Sequence, residues 1–92
     1  MEKDDSSDAP VWHLYMIETA AGAWYTGVTT DVERRFYEHS RGLGAKALRG
    51  KGPLRLVYQQ MVGSHGEALR LEARVKRLSA ANKRLWVAQH RN

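Results

Sequence analysis

Apolar and polar residues along the chain change period several times, and each change marks an element. Residues 11–17 (VWHLYMI) are aromatic and aliphatic throughout, which predicts a strand. Period-two alternation places Val11, His13, Tyr15 and Ile17 on one face, with Trp12, Leu14 and Met16 on the other. Thr19-Ala20-Ala21-Gly22 reads as a turn and residues 24–28 as a second strand, so the pair forms a hairpin. A helix is expected from Thr30, where Thr30-Asp31-Val32-Glu33 fits a capping box, to Gly42, a left-handed C-terminal residue. Its buried side carries Val32 and Phe36, while Arg34 points to water.

Residues 42–53 form a glycine- and cation-rich loop, with a short helical turn in its middle, and residues 54–62 form a third strand. Ser64-His65-Gly66-Glu67 is a second capping box, opening a helix that reaches about Leu78. Ser79 caps a last helix that runs to about Gln89. The predicted order is β-β-α-β-α-α without internal repeats. That is an α+β fold: a small, mainly antiparallel three-stranded sheet flanked by helices. Residues 1–9 read as a disordered acidic tail and residues 10–92 as one domain.

Composition narrows the class. The chain is 42% hydrophobic and 27% charged, as globular domains are, and has no cysteine. Disulfides, thiolate zinc sites and a thiol nucleophile are thereby excluded, and a reducing, cytoplasmic location is expected. No apolar run approaches the roughly 20 residues of a membrane span. Charge is split: residues 1–30 carry one Lys against five acids, a net of −4, and residues 31–92 carry 14 Lys or Arg against five acids, a net of +9. Such a region attracts polyanions, of which nucleic acid is the commonest.

Several side chains bear on chemistry. Arg35 and His39 are helical neighbours beside the apolar stripe, where a guanidinium either faces an anion or pairs with Glu38 or Glu72. Glu72 borders the stripe Ala68, Leu71, Val75, Leu78, with Arg70, Arg74 and Arg77 outside it. Such a carboxylate either holds a hard cation or partners Arg35 or Arg74. Tyr15 and Tyr25 lie on paired strands, and Gly27 inside a strand marks a close approach. Lys46, Arg49 and Lys51 stud the glycine-rich loop, which lacks the order of a nucleotide-binding P-loop; no nucleotide cofactor is expected. His13, His65 and His90 have no ligand spacing, and Trp12, Trp24 and Trp86 read as core or sheet aromatics.

The ordered set Leu14-Tyr15, Tyr25-Thr26-Gly27, Arg35, His39 and Glu72 resembles the GIY-YIG endonuclease family over residues 11–86. The closer resemblance is to its short, stand-alone bacterial branch, the UPF0213 or YhbQ-like proteins. It implies a DNA endonuclease using a single Mg²⁺ or Mn²⁺ ion. In that implied scheme Tyr25 activates water, Tyr15 orients nucleophile and phosphate, Arg35 stabilises the transition-state charge, and Glu72 holds the metal. His39 assists by bonding the phosphate or by helping to deprotonate Tyr25. Only the tyrosines and the last glycine match the family name, and Asn82 is spaced two residues short of the family's late asparagine. Few phosphate contacts and an acidic tail favour single-stranded or branched DNA over plain duplex, whose stiffness opposes entry into a cleft. The alternative reading is a catalytically silent nucleic-acid-binding module.

Overall fold

A computed structural model describes residues 9–91. All of the expected acidic tail except Ala9 lies outside that range. The elements are β1 (Trp12–Glu18), β2 (Trp24–Thr29), α1 (Val32–Ser40), a 3-10 turn (Lys46–Leu48), β3 (Arg55–Gly63), α2 (His65–Lys76) and α3 (Ala80–His90). The strands form one sheet in the order β2-β1-β3, both pairings antiparallel. This is the expected α+β architecture.

The central strand explains why the alternation of residues 11–17 is apolar on both sides. Leu14 and Met16 are buried against Tyr58, Val75 and Val87, beneath α2 and α3. Tyr15 and Ile17 are buried on the other face with Val32 and Leu48, beneath α1 and the 3-10 turn. A strand covered on both faces carries apolar residues at every position. The sheet therefore separates two small cores.

The caps show which local signals hold. Ser64 and Glu67 form the expected reciprocal box, and the Ser79 hydroxyl accepts from Asn82 N–H. The first helix starts later than the Thr30 box requires. Its N-cap is Asp31, whose carboxylate accepts from Arg34 N–H at 3.1 Å, while Asp31 N–H donates to the Thr29 hydroxyl at 3.2 Å. Thr29 still pairs with His13 in the sheet, so the chain can turn into a helix only after Thr30. At the other end, Gly42 has φ +77°, and its N–H and that of Leu43 close onto the carbonyls of His39 and Glu38. That Schellman closure ends α1 and directs the following loop back across the tyrosine face.

Candidate active site

Strand register brings the two tyrosines together. Tyr15 pairs with Gly27, and Ile17 pairs with Tyr25, so Tyr25 stands diagonally from Tyr15 on the same face. Their ring centroids are 6.3 Å apart. A Cβ on residue 27 would lie 2.5 Å from the Tyr15 hydroxyl oxygen, so only glycine leaves room for this phenol. Tyr15 is 2% exposed. Burial, reinforced by the neighbouring Tyr25 and opposed by Arg35, pushes its phenol up to about 12. At neutral pH Tyr15 is therefore a protonated hydrogen-bond donor.

His39, on the last turn of α1, closes the cluster. Its ring lies 5.8 Å from that of Tyr15 and 5.6 Å from that of Tyr25. Ala45 N–H donates to His39 Nδ1 at 3.1 Å, so that nitrogen is unprotonated and Nε2 carries the proton. Nε2–H then donates to the Tyr15 oxygen at 2.8 Å, leaving the Tyr15 O–H to point elsewhere. Gly44 is part of this arrangement, because a Cβ there would sit 2.1 Å from His39 Nδ1. Neither Gly44 nor the Ala45 amide is apparent as a site element in the sequence; the signal was a glycine placed just after the helix stop.

Burial, with Arg35 nearby and Glu38 opposing, lowers the His39 pKa from its ordinary 6.5. The sign of the consequence follows from proton binding. Below about pH 6.5 the unfolded chain takes up a proton at this histidine before the folded chain does, so the contribution is complete above that pH and lost as pH falls. The wild-type melting temperature should drop from pH 7.5 to 5.5 by more than that of His39→Gln, which keeps hydrogen-bonding atoms but does not titrate. Parallel melting curves against pH for the two proteins would refute the neutral, doubly bonded imidazole.

Arg35 lies on the same helix, and its guanidinium donates to Glu38 at 3.0 Å. Of the partners open to Arg35 from sequence, the structure selects Glu38. Its side chain remains 38% exposed, and its charge acts on the neighbouring Tyr15 phenol. A charged, half-exposed guanidinium next to a buried phenol is placed to meet an anion arriving from solvent.

Glu72 is set apart from these four residues. It stands on α2, which covers the other face of the sheet and packs on β2 as well as β1. Its ion-pair partner is neither Arg35 nor Arg74 but Lys76, at 3.2 Å, and its side chain is 16% exposed. Among the described residues no three His, Cys, Asp or Glu side chains cluster as a metal cage. A half-buried carboxylate held only by a flexible lysine does fit a hydrated hard cation that takes its other ligands from water and phosphate.

The cationic loop is anchored by Leu48, which is 2% exposed in the Tyr15 core. Lys46, Arg49 and Lys51 around it are exposed. A cleft of about 540 Å³ runs past Leu48 from His39 to Leu54; His39 lines it, and the tyrosines and Arg35 do not. The fold thus places the loop cations, both tyrosines, Arg35 and His39 on one side of the sheet.

Residues 11–85 match the GIY-YIG catalytic domain. The chain belongs to the GIY-YIG family. A UPF0213 protein of Sodalis glossinidius (strain morsitans) is 59% identical over 78 residues, which cover 85% of this chain and 73% of that protein. One from Aeromonas salmonicida (strain A449) is 50% identical over 91 residues, covering 97% and 67%. The solution NMR structure of the UPF0213 protein BH0048 from Bacillus halodurans superposes with a TM-score of 0.57 at 46% identity, covering 86% of this chain and 84% of that one. That of the protein EF2693 from E. faecalis gives 0.60 at 28% identity, covering 89% and 88%. GIY-YIG domains are nuclease domains, so nucleic-acid phosphodiester chemistry is the class of activity this membership implies. Among the described residues, no helix of this GIY-YIG domain is long and apolar enough to cross a membrane.

Proposed function

We propose that this GIY-YIG domain is a metal-dependent DNA endonuclease that favours single-stranded or branched DNA. The observation that carries the proposal is the cluster of Tyr15, Tyr25 and His39, with ring centroids within 6.3 Å, beside the half-exposed Arg35 guanidinium. Tyr25 accepts a proton from the attacking water while its own phenolic proton leaves to solvent, which reaches the half-buried ring. A new bond forms between the water oxygen and phosphorus, the bond from phosphorus to the 3′ oxygen breaks, and the departing 3′ oxygen takes a proton from solvent water. Tyr15 donates its O–H to the phosphate. Arg35 offsets the charge that builds on the phosphoryl oxygens.

His39 is a positioning residue in this scheme. Its Nε2–H is committed to Tyr15 and its Nδ1 to Ala45, so neither nitrogen is available to take the Tyr25 proton. Glu72 stands on α2, which packs on the edge strand β2 that carries Tyr25, and there it would hold the single Mg²⁺ or Mn²⁺ ion, a Lewis acid for the phosphate and the leaving oxygen. Lys46, Arg49 and Lys51 bind the DNA backbone alongside the cleft.

The preference for strand form rests on shape. One small domain grips few phosphates, and bending duplex DNA to present one phosphate in a cleft costs about 1–6 kcal/mol. A single strand, flap or junction enters without that cost. Matched labelled oligonucleotides at equal concentration, in Mg²⁺ and in Mn²⁺, should show faster cutting of single-stranded and branched forms than of linear duplex. A clear preference for plain duplex would overturn the substrate assignment.

A further inference from the structure

On the sheet face away from the tyrosines, α2, α3 and β3 enclose a groove of about 490 Å³. One wall is cationic. Arg70 and Arg74 lie four residues apart on α2 and are exposed, and among the described residues no carboxylate is within ion-pair distance of either. They sit about one helical turn, ~5.4 Å, apart, which suits two successive phosphates of one strand. Glu67 borders the same groove and its carboxylate feels the Arg70 charge, while the Ser64 N–H holds it at 2.9 Å in the capping box.

The opposite wall is aromatic. His90 stacks on Trp86 with ring centroids 4.0 Å apart and planes 22° from parallel. His90 Nδ1–H donates to the Trp86 carbonyl at 2.7 Å, which fixes the imidazole over the indole. His90 is exposed, so the outer face of the stack is open. Gln60 of β3 adds an amide, and past Trp86 an apolar pit of about 200 Å³ opens, lined by Leu71, Val75 and Leu78. Residues 64–91 as a whole carry seven Lys or Arg against two Glu. Guanidinium groups opposite an open ring stack are the combination that takes phosphate and base together.

We propose that this groove is a second DNA-binding site, which holds a single-stranded segment by Arg70 and Arg74 on its phosphates and by the Trp86–His90 stack on a base. It faces away from the tyrosine cluster, so the two sites engage different arms of one branched molecule. That last point rests on the nuclease reading; the binding itself does not.

The test is a titration of the ¹⁵N-labelled full chain with ten-nucleotide oligothymidylate in EDTA, followed by NMR. The expected result is two groups of shifted signals: one around Lys46, Arg49 and Arg35, the other at the Arg70 and Arg74 amides and the Trp86 indole N–H. Arg70→Ala/Arg74→Ala should abolish the second group, weaken binding about tenfold and lower the salt slope by about 1.4, the value for two single-strand phosphates. Lys46→Ala/Arg49→Ala/Lys51→Ala should spare the second group. The groove is overturned if the α2 and Trp86 signals stay still, if the double arginine variant binds within twofold of wild type, or if polyglutamate of equal charge binds the groove as tightly. Groove binding by a wild-type protein that cuts no DNA would overturn the nuclease reading and leave the groove standing. DNA cleavage with an unperturbed groove would do the reverse.

Discussion

Tyr25→Phe, Arg35→Ala and Glu72→Gln are each expected to lower DNA cleavage by about 100-fold or more while the protein stays folded. Folding should survive because none of the three groups is essential to a core. Tyr25→Phe keeps the ring that packs against His39 and Tyr15. Arg35 is half-exposed and ends on Glu38, a surface pair worth little to stability. Glu72→Gln loses one ion pair with an exposed lysine. Cleavage should suffer because each variant removes a different requirement: the proton acceptor, the charge opposite the phosphoryl oxygens, and the metal ligand. Combining Tyr25→Phe with Arg35→Ala should cost much less than the product of the single losses, as for groups that act as one unit. Single-turnover rates on one oligonucleotide, with circular dichroism to verify folding, measure this. A folded Arg35→Ala enzyme within threefold of wild type would remove Arg35 from the chemistry.

A single methyl group at residue 44 is expected to do nearly as much damage as loss of the imidazole itself. The added Cβ of Gly44→Ala would lie 2.1 Å from His39 Nδ1, inside any contact distance, so the ring must leave its place. Ala45 N–H then loses its acceptor, and the buried Tyr15 hydroxyl loses its donor. A buried polar group left without a partner costs about 1–3 kcal/mol. In a domain of this size each lost kcal/mol lowers Tm by roughly 4–8 °C. Cleavage should fall about as far as in His39→Ala, although residue 44 touches no substrate. Thermal melting and kinetics of both variants decide the matter, and a Gly44→Ala protein with wild-type Tm and rate would mean that the loop does not hold the histidine.

How much of this was legible in the sequence depended on how local each determinant is. The Ser64–Glu67 box and the Ser79 cap are formed within four residues, and both appear where the sequence places them. Thr30 and Asp31 offer overlapping start signals, and the choice between them is made by Thr29, which is still paired to His13 across the sheet. The Arg35–Glu38 pair follows from helical spacing, as does Glu72–Lys76. The tyrosines and Gly27 were visible because hairpin register follows from a tight turn. The bond from His39 to Tyr15 spans 24 residues, and its tautomer is set by a loop amide, so no periodicity announces it. The groove on the other face is more remote still, since it exists only once α2 and α3 pack on β3. His90 has no ligand spacing in the sequence and Trp86 reads as a core or sheet aromatic, and only packing puts one over the other.

We propose that this fold cuts DNA with a single metal ion held by Glu72. Nicking of a supercoiled plasmid tests it most directly, with wild type and Glu72→Gln assayed in Mg²⁺, in Mn²⁺ and in EDTA. The wild type should nick in either metal and not in EDTA, and the folded Glu72→Gln protein should react at least 100-fold more slowly. Wild-type nicking in EDTA, or a Glu72→Gln rate equal to wild type, would contradict the metal assignment. Tight DNA binding with no nicking in any metal would contradict the nuclease itself and leave a silent binding module on the same fold.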